Sequence, residues 1–292
     1  MTGPEPTPPA APARSVRAAR AAGLARRSGR LTGRLTVLAA VLGLWQVLSV
    51  TGYLRADEFP SMTRTAAALG REFGQVGFWV DLWATVRAWA AGVAIGAGSA
   101  VLVGSLLGLN RFAHRSASPV IELFKTVPVV AILPLAILEF GPTLRMRYVL
   151  VAFGVFWPLT IQVIYGVRSV DPTVRDTAEA LGVRALRRFA VVTLPSAAPF
   201  IATGLRVAAA TGLILDIVAE LIGGGDNGLG LGILTALNAG PAAYPTMYAF
   251  IVATGLLGVL LTGAFGLAER RVLHWHESQR EHARGPGAVS GG

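Results

Sequence analysis

Six stretches of this chain, near residues 35–53, 86–109, 118–140, 147–167, 197–222 and 247–268, are almost wholly apolar. Each is about 20 residues long, the length an α-helix needs to cross the hydrocarbon of a bilayer. Hydrocarbon offers backbone amides no partner, so segments that cross it singly must close their hydrogen bonds within helices. The pattern predicts an all-α integral membrane protein of about six transmembrane helices. Composition agrees, because only 14% of the 292 residues are charged, where a soluble domain carries about 25%.

The arginines lie mostly between the windows. With the N-terminus placed inside, eighteen arginines fall in inner segments and five in outer ones; loops retained in the cytoplasm are those rich in Lys and Arg. Both termini are therefore expected in the cytoplasm. Residues 1–33, rich in Ala, Pro and Arg, lack the apolar core of a signal peptide and read as a disordered basic tail. Residues 34–275 then hold the membrane domain, and 276–292 a cytoplasmic C-terminal tail.

Several chemistries drop out. The net charge of +10 raises nucleic-acid binding, but basic patches that grip phosphate usually sit on soluble folds among aromatics. There is no cysteine, which removes disulfides, thiol chemistry and cysteine metal sites. His114, His274, His276 and His282 fall in cytoplasmic segments, and His274 and His276, two apart, point away from each other on a helix. No metal site is expected. No Ser/His/Asp or paired-carboxylate constellation gathers on one aqueous face, so no catalytic residue is assigned.

One polar module interrupts the apolar pattern: "DPTVRDTAEALGVRALRRFAVVTLP", residues 171–195. Asp171 followed by Pro172 is a helix start, an N-cap side chain and then a residue whose missing N–H costs nothing in the first turn. Gly182 is the matching stop, able to take the left-handed conformation at C′. Val174, Ala178 and Leu181 share one face. A second short helix covers Arg184 to Val192, and "TLP" ends it. A solvated hairpin without a partner is one reading; the small residues Thr177, Ala178 and Ala180 around a fixed turn suit docking against another protein.

At these residues the chain resembles the membrane permeases of binding-protein-dependent ABC importers. "DTAEALG" followed by Leu194–Pro195 is similar to their EAA loop, with Asp176, Thr177, Ala178 and Gly182 on the Glu-Ala-Ala-x-x-x-Gly positions. Asp for Glu and Thr for Ala are departures that conserve size. "FPSMTRTAAAL", "TVRAWAAGVAIG", "KTVPVVAILPLAILEFG", "GVRSVDP", "LPSAAPFIATGLRVA", "VAELIGGGDNGLG" and "AERRVLHW" extend the likeness over roughly residues 59–275. It is strongest to the subgroup importing nitrate, sulfonates, taurine and pyrimidine-type compounds. The resemblance implies a type I importer fold in a bacterial plasma membrane, acting as a homodimer with a cytoplasmic ATPase and an extracytoplasmic solute-binding protein. It also implies that 171–195 is the coupling element seated in the ATPase.

The chain itself is expected to bind no cofactor, ATP and Mg belonging to the ATPase. A Walker A loop needs glycine before its lysine, and the one lysine, Lys125, follows Phe124. "GGGDNG", Gly223 to Gly228, matches a dinucleotide fingerprint formally, but follows a membrane helix instead of a strand and reads as a flexible outer turn. Pro128, Pro134 and Pro158 are expected to kink or loosen helices where a path opens. "AWAAGVAIGAGSA" allows close helix packing.

Charges inside spans point to function or to partners. Glu122 and Lys125, three apart, suit a helix-surface ion pair. Glu139, Arg206, Asp216 and Glu220 are the candidate translocation-path residues. Asp216 and Glu220 are four apart and share a helix face. Either the three carboxylates line the path and favour a cationic or amine-bearing solute, or they pair with Arg145, Arg147 or Arg206, or bond to backbone, and never meet it. For Arg206, snorkelling or contact with carbonyls competes with solute contact. The rival to an ABC permease is a proton- or sodium-coupled transporter using Asp216 and Glu220 as a relay, although no internal repeat of the kind such proteins show is visible.

Overall fold

A computed structural model describes residues 32–33, 36–55 and 57–272, all of its regular structure helical. The expected tails, 1–33 and 276–292, lie outside the described residues except at positions 32 and 33. The chain divides into two units at Arg64 and Thr65.

In the first unit, helix α1 (Thr36–Val50) carries the first apolar window. The loop after it folds back: Ser49 Oγ donates to the Phe59 carbonyl at 2.8 Å, and the Gln46 amide bonds both the N–H and the hydroxyl of Thr63. Ser61 Oγ accepts from the N–H of Arg64 at 3.4 Å, capping the start of α2 (Met62–Phe73).

The second unit contains α3 (Val76–Leu109), α4 (Arg111–Thr126), α5 (Leu133–Phe140), α6 (Leu144–Arg168), α7 (Pro172–Ala180), α8 (Ala185–Arg188), α9 (Leu194–Gly223), α10 (Leu229–Asn238) and α11 (Tyr244–Val272). By length and composition α3, α6 and the segment containing α11 can each cross a bilayer, and α4 with the segment containing α5 is long and apolar enough only as a sharply bent pair. Helix α9 has 30 residues, but carries three ionisable side chains, Arg206, Asp216 and Glu220. Outward-facing Leu102, Leu106, Val259 and Leu260 are between 60% and 71% exposed, a surface that water would penalise and lipid accepts.

The core is a mesh between α3 and α6. On α3, Gly92, Gly96, Ala100, Gly104 and Gly108 recur every fourth residue and are all buried. On α6, Val151, Val155, Leu159, Val163 and Val167 do the same. A Cβ placed on Gly92 would lie 2.6 Å from Val151 Cβ, on Gly104 2.7 Å from Val163 Cβ, and on Gly108 2.8 Å from Val167 Cβ. Contacts advance along both helices together, so the two run parallel. Missing side chains on one face make room for branched ones on the other, and dispersion between the two holds the pair where lipid gives no hydrophobic drive. Gly204 of α9 packs on Gln162 and Leu159, and Gly212 on Val151 and Val155; α9 lies antiparallel to α6.

Three local features differ from expectation. The window 118–140 is a sharp break, with α4 and the segment after it bent by 86°. Val127, held extended at φ −71° and ψ 121°, precedes Pro128, whose ring disfavours a helical neighbour. Pro134, in contrast, sits in the first turn of α5, where its missing N–H is harmless. Second, "TLP" does not end the helix before the fifth span. Phe189–Thr193 form a π turn in which the Leu194 N–H reaches Phe189 O, and the chain runs straight into α9. The wide turn accommodates Pro195, which cannot donate to an ordinary helical ladder. Third, α3 starts ten residues before its apolar window, the helix running on through the charged Asp81.

Candidate functional site

Two places gather the polar chemistry, one at each end of the second unit. The first surrounds Arg147 in the opening turn of α6. Its side chain is 5% exposed, and it meets Asp216 and Glu220 of α9, which are 0% and 1% exposed. Arg147 Nε donates to Asp216 Oδ1 at 2.8 Å and Nη2 to Asp216 Oδ2 at 3.1 Å. Nη2 also bonds Glu220 Oε1, and Nη1 donates to the Asn227 carbonyl at 3.2 Å. One guanidinium thus serves two carboxylates, and the remaining acceptor capacity is met by neutral donors. Thr85 Oγ1 of α3 donates to Glu220 Oε1 at 2.8 Å, and the Gly230 N–H donates to Oε2 at 2.6 Å. Buried charge survives only when paired and bonded in this way.

The glycine-rich segment is part of that arrangement. The Gly228 N–H donates to Asp81 Oδ1 at 3.0 Å and the Leu229 N–H to Thr85 Oγ1 at 3.0 Å. Gly228 has φ +156°, and a Cβ there would strike the Glu220 carboxylate. The expectation of a merely flexible turn is corrected: these glycines let backbone approach Glu220 closely, and helix α10 follows at once. Within this cluster α3, α6, α9 and the start of α10 are tied together.

The other path residues stand elsewhere. Glu139 on α5 is exposed and takes no part in the cluster. Arg206 of α9 pairs with Glu269 of α11, and it lines a mainly apolar cavity of about 380 Å³ with Trp89, Leu213, Ile217 and Phe265. Trp89 closes that region by donating from Nε1 to the Ala209 carbonyl at 2.8 Å. Among the described residues Glu122 and Lys125 form no ion pair; both line a small cavity of about 150 Å³ with His114 and Arg168. The sequence offers Arg147 only as one of three partners for the carboxylates and does not point to Thr85 or Asp81. Their signal was faint: a hydroxyl and a carboxylate four apart in an otherwise apolar helix.

The second place is the module 171–195. Asp171 accepts from the Thr173 N–H at 2.8 Å, Pro172 opens α7, and Gly182 takes φ +75°. The Val183 N–H reaches Ala178 O at 3.0 Å and the Gly182 N–H reaches Glu179 O at 2.9 Å, the backbone closure of a glycine-terminated helix. Arg188 of α8 donates to Glu179 of α7 at 2.6 Å. The turn is thereby fixed from both sides. Yet α7 and α8 bury no residue, and Val174, Leu181 and Leu186 are exposed. Asp176 and Thr177 are exposed, Ala178 is half-buried, and Leu194 and Pro195 open α9.

Comparison with known proteins gives the fold its context. Residues 93–274 match the family described as binding-protein-dependent transport system inner membrane component. The bicarbonate transport system permease protein CmpB of Synechococcus elongatus is 29% identical over 268 residues, covering 88% of this chain and 92% of that one. The nitrate import permease protein NrtB of Leptolyngbya laminosa is 28% identical over 196 residues, covering 67% and 69%. Among solved structures, a chain of the inward-facing MetNI methionine ABC transporter superposes with a TM-score of 0.58 at 19% identity, covering 66% of this chain and 96% of that one. The chain belongs to the binding-protein-dependent transport system inner membrane components and is the membrane-spanning permease subunit of an ABC importer.

Proposed function

We propose that two copies of this permease enclose the path for a small oxyanion, received from an extracytoplasmic binding protein and driven by a separate cytoplasmic ATPase seated on α7 and α8. ATP and Mg are bound by that ATPase, and this chain has no ATP site of its own. The observation that carries the reading is the α7 module, rigid at both ends yet without a buried side chain, with Val174, Leu181 and Leu186 exposed. A fixed element with bare apolar side chains beside span ends transmits motion only when another protein covers it. The arginine distribution supports both termini, and this module, on the cytoplasmic side.

Relatives named for bicarbonate and nitrate support an oxyanion. The enclosure of Asp216 and Glu220 on Arg147 leaves Glu139 as the one exposed carboxylate of the three, which weakens the case for a cationic solute. Arg206 and Glu139 remain as path residues nearer to solute, and Asp216 and Glu220 act on the path by holding α9 in place.

The test is reconstitution with the cognate ATPase in lipid nanodiscs, comparing wild type with Gly182→Pro. Proline cannot adopt φ +75°, so the expected outcome is intact ATP hydrolysis or binding-protein capture with transport lost. Failure of the wild-type chain to associate with any ATPase would overturn the reading.

A further inference from the structure

At the α7 end of the second unit lies a cavity of about 810 Å³, bounded by the end of α3, the first turns of α4, the end of α6 and α7. Arg111, Arg115, Arg168 and Arg175 line it, and its acidic lining residues are Asp176 and Glu179. Glu179 is already bonded to Arg188 outside the cavity at 2.6 Å. Among the described residues none of the four arginines forms an ion pair. His114 lines both this cavity and the small one beside Lys125, and its Nδ1 is enclosed without a hydrogen-bond partner.

Arg111, Arg115 and Arg168 are exposed and Arg175 is half-buried, and among the described residues Asp176 is the one lining carboxylate without an ion pair. The four positive charges therefore outnumber the carboxylates, and the excess attracts an anion into the space between them. The chain's own N-terminal tail is a poor source of that anion, with seven arginines and one glutamate before residue 35. Guanidinium forks match phosphate oxygens in pairs, and basic pockets between span ends receive acidic headgroups.

We propose that this cavity is a binding site for a phosphate group, held jointly by Arg111 and Arg115 of α4, Arg168 of α6 and Arg175 of α7. An acidic phospholipid headgroup and free inorganic phosphate present the same chemistry there. Either one ties α7 to the ends of two spans, so the stiffness of that joint depends on the anion. The site stands on this chain's own residues and does not require the ATPase.

The test uses the full-length permease in nanodiscs of phosphatidylcholine with or without phosphatidylglycerol. Retained lipid is counted by native mass spectrometry, and labelled inorganic phosphate is titrated by equilibrium dialysis. Two independent variants, Arg168→Gln with Arg175→Gln and Arg111→Gln with Arg115→Gln, remove opposite sides of the cavity. Arg270→Gln, in the last turn of α11, controls for general surface charge. Binding weakened about 10-fold or more in either pair, unchanged in Arg270→Gln and falling with salt, is the expected result. Retention confined to phosphatidylglycerol discs identifies the headgroup, and saturable phosphate binding in both identifies the free ion. Absence of saturable binding by both probes, or equal loss in Arg270→Gln, overturns the proposal. If one pair fails to fold, the other reads the same cavity.

Discussion

Arg147 grips Asp216 through two parallel hydrogen bonds, Nε to Oδ1 at 2.8 Å and Nη2 to Oδ2 at 3.1 Å. The fork fixes α6 against α9 in both position and rotation, which a lysine could not do. Arg147→Leu leaves Asp216 and Glu220 buried without their cation, and stability is expected to fall by about 3–5 kcal/mol. Thermal unfolding in detergent reads the loss. Combining Arg147→Met with Asp216→Leu and Glu220→Gln is expected to recover most of it, because apolar replacement of a whole buried ion cluster is often neutral. A combined variant no more stable than Arg147→Leu would show that the cluster is not the source of the loss.

Two glycines of the loop before α10 separate strain from collision. Gly224 has φ +71° and open space around it, whereas Gly228 has φ +156° and faces the Glu220 carboxylate. Gly224→Ala is expected to cost about 1–2 kcal/mol, the ordinary penalty of a left-handed residue. Gly228→Ala is expected to cost clearly more and to loosen the loop. Hydrogen exchange at residues 224–232 distinguishes the two, and equal protection in both variants contradicts the close approach.

Along α3 the two faces make opposite predictions. Gly104→Val drives a side chain into Val163 and is expected to destabilise by about 1–3 kcal/mol or more. Gly98, with nothing within 4 Å of a placed Cβ, tolerates valine to within about 0.5 kcal/mol. The comparison needs only paired unfolding curves of the two variants.

Leu186 on α8 is 83% exposed. Leu186→Asp is expected to leave the unfolding temperature of the isolated permease unchanged, while weakening association with the ATPase by about 10-fold or more. Co-purification yield and nanodisc binding curves measure it. Undiminished association would place the docking surface elsewhere.

Much of this architecture could be read from the residues in order. The apolar windows became helices because a span leaves no other way to satisfy its backbone. The Asp171–Pro172 start and Gly182 stop of α7 were legible because capping is local chemistry. The Arg147 cluster was not, since its members lie 69 and 73 residues apart and no local pattern states which arginine a buried carboxylate will find. Helix α10 was hidden by the glycines before it, which look like a loop until their N–H groups are seen bonding Asp81 and Glu220. Pro128 by itself predicts a kink, but the chain breaks there because Val127 is also held out of the helical region.

The matching four-residue periods of α3 and α6 act like two toothed racks engaged from Gly92 to Gly108 and from Val151 to Val167. Each tooth spans about 6 Å of helix, so the pair can slip only by a full step that would clear every valine from its notch at once. Small sliding adjustments are closed to it, and the two helices travel as one beam. The strokes of a transport cycle must then be taken up by hinges outside that beam, at the break before Pro128 and at the joint where α7 leaves α6.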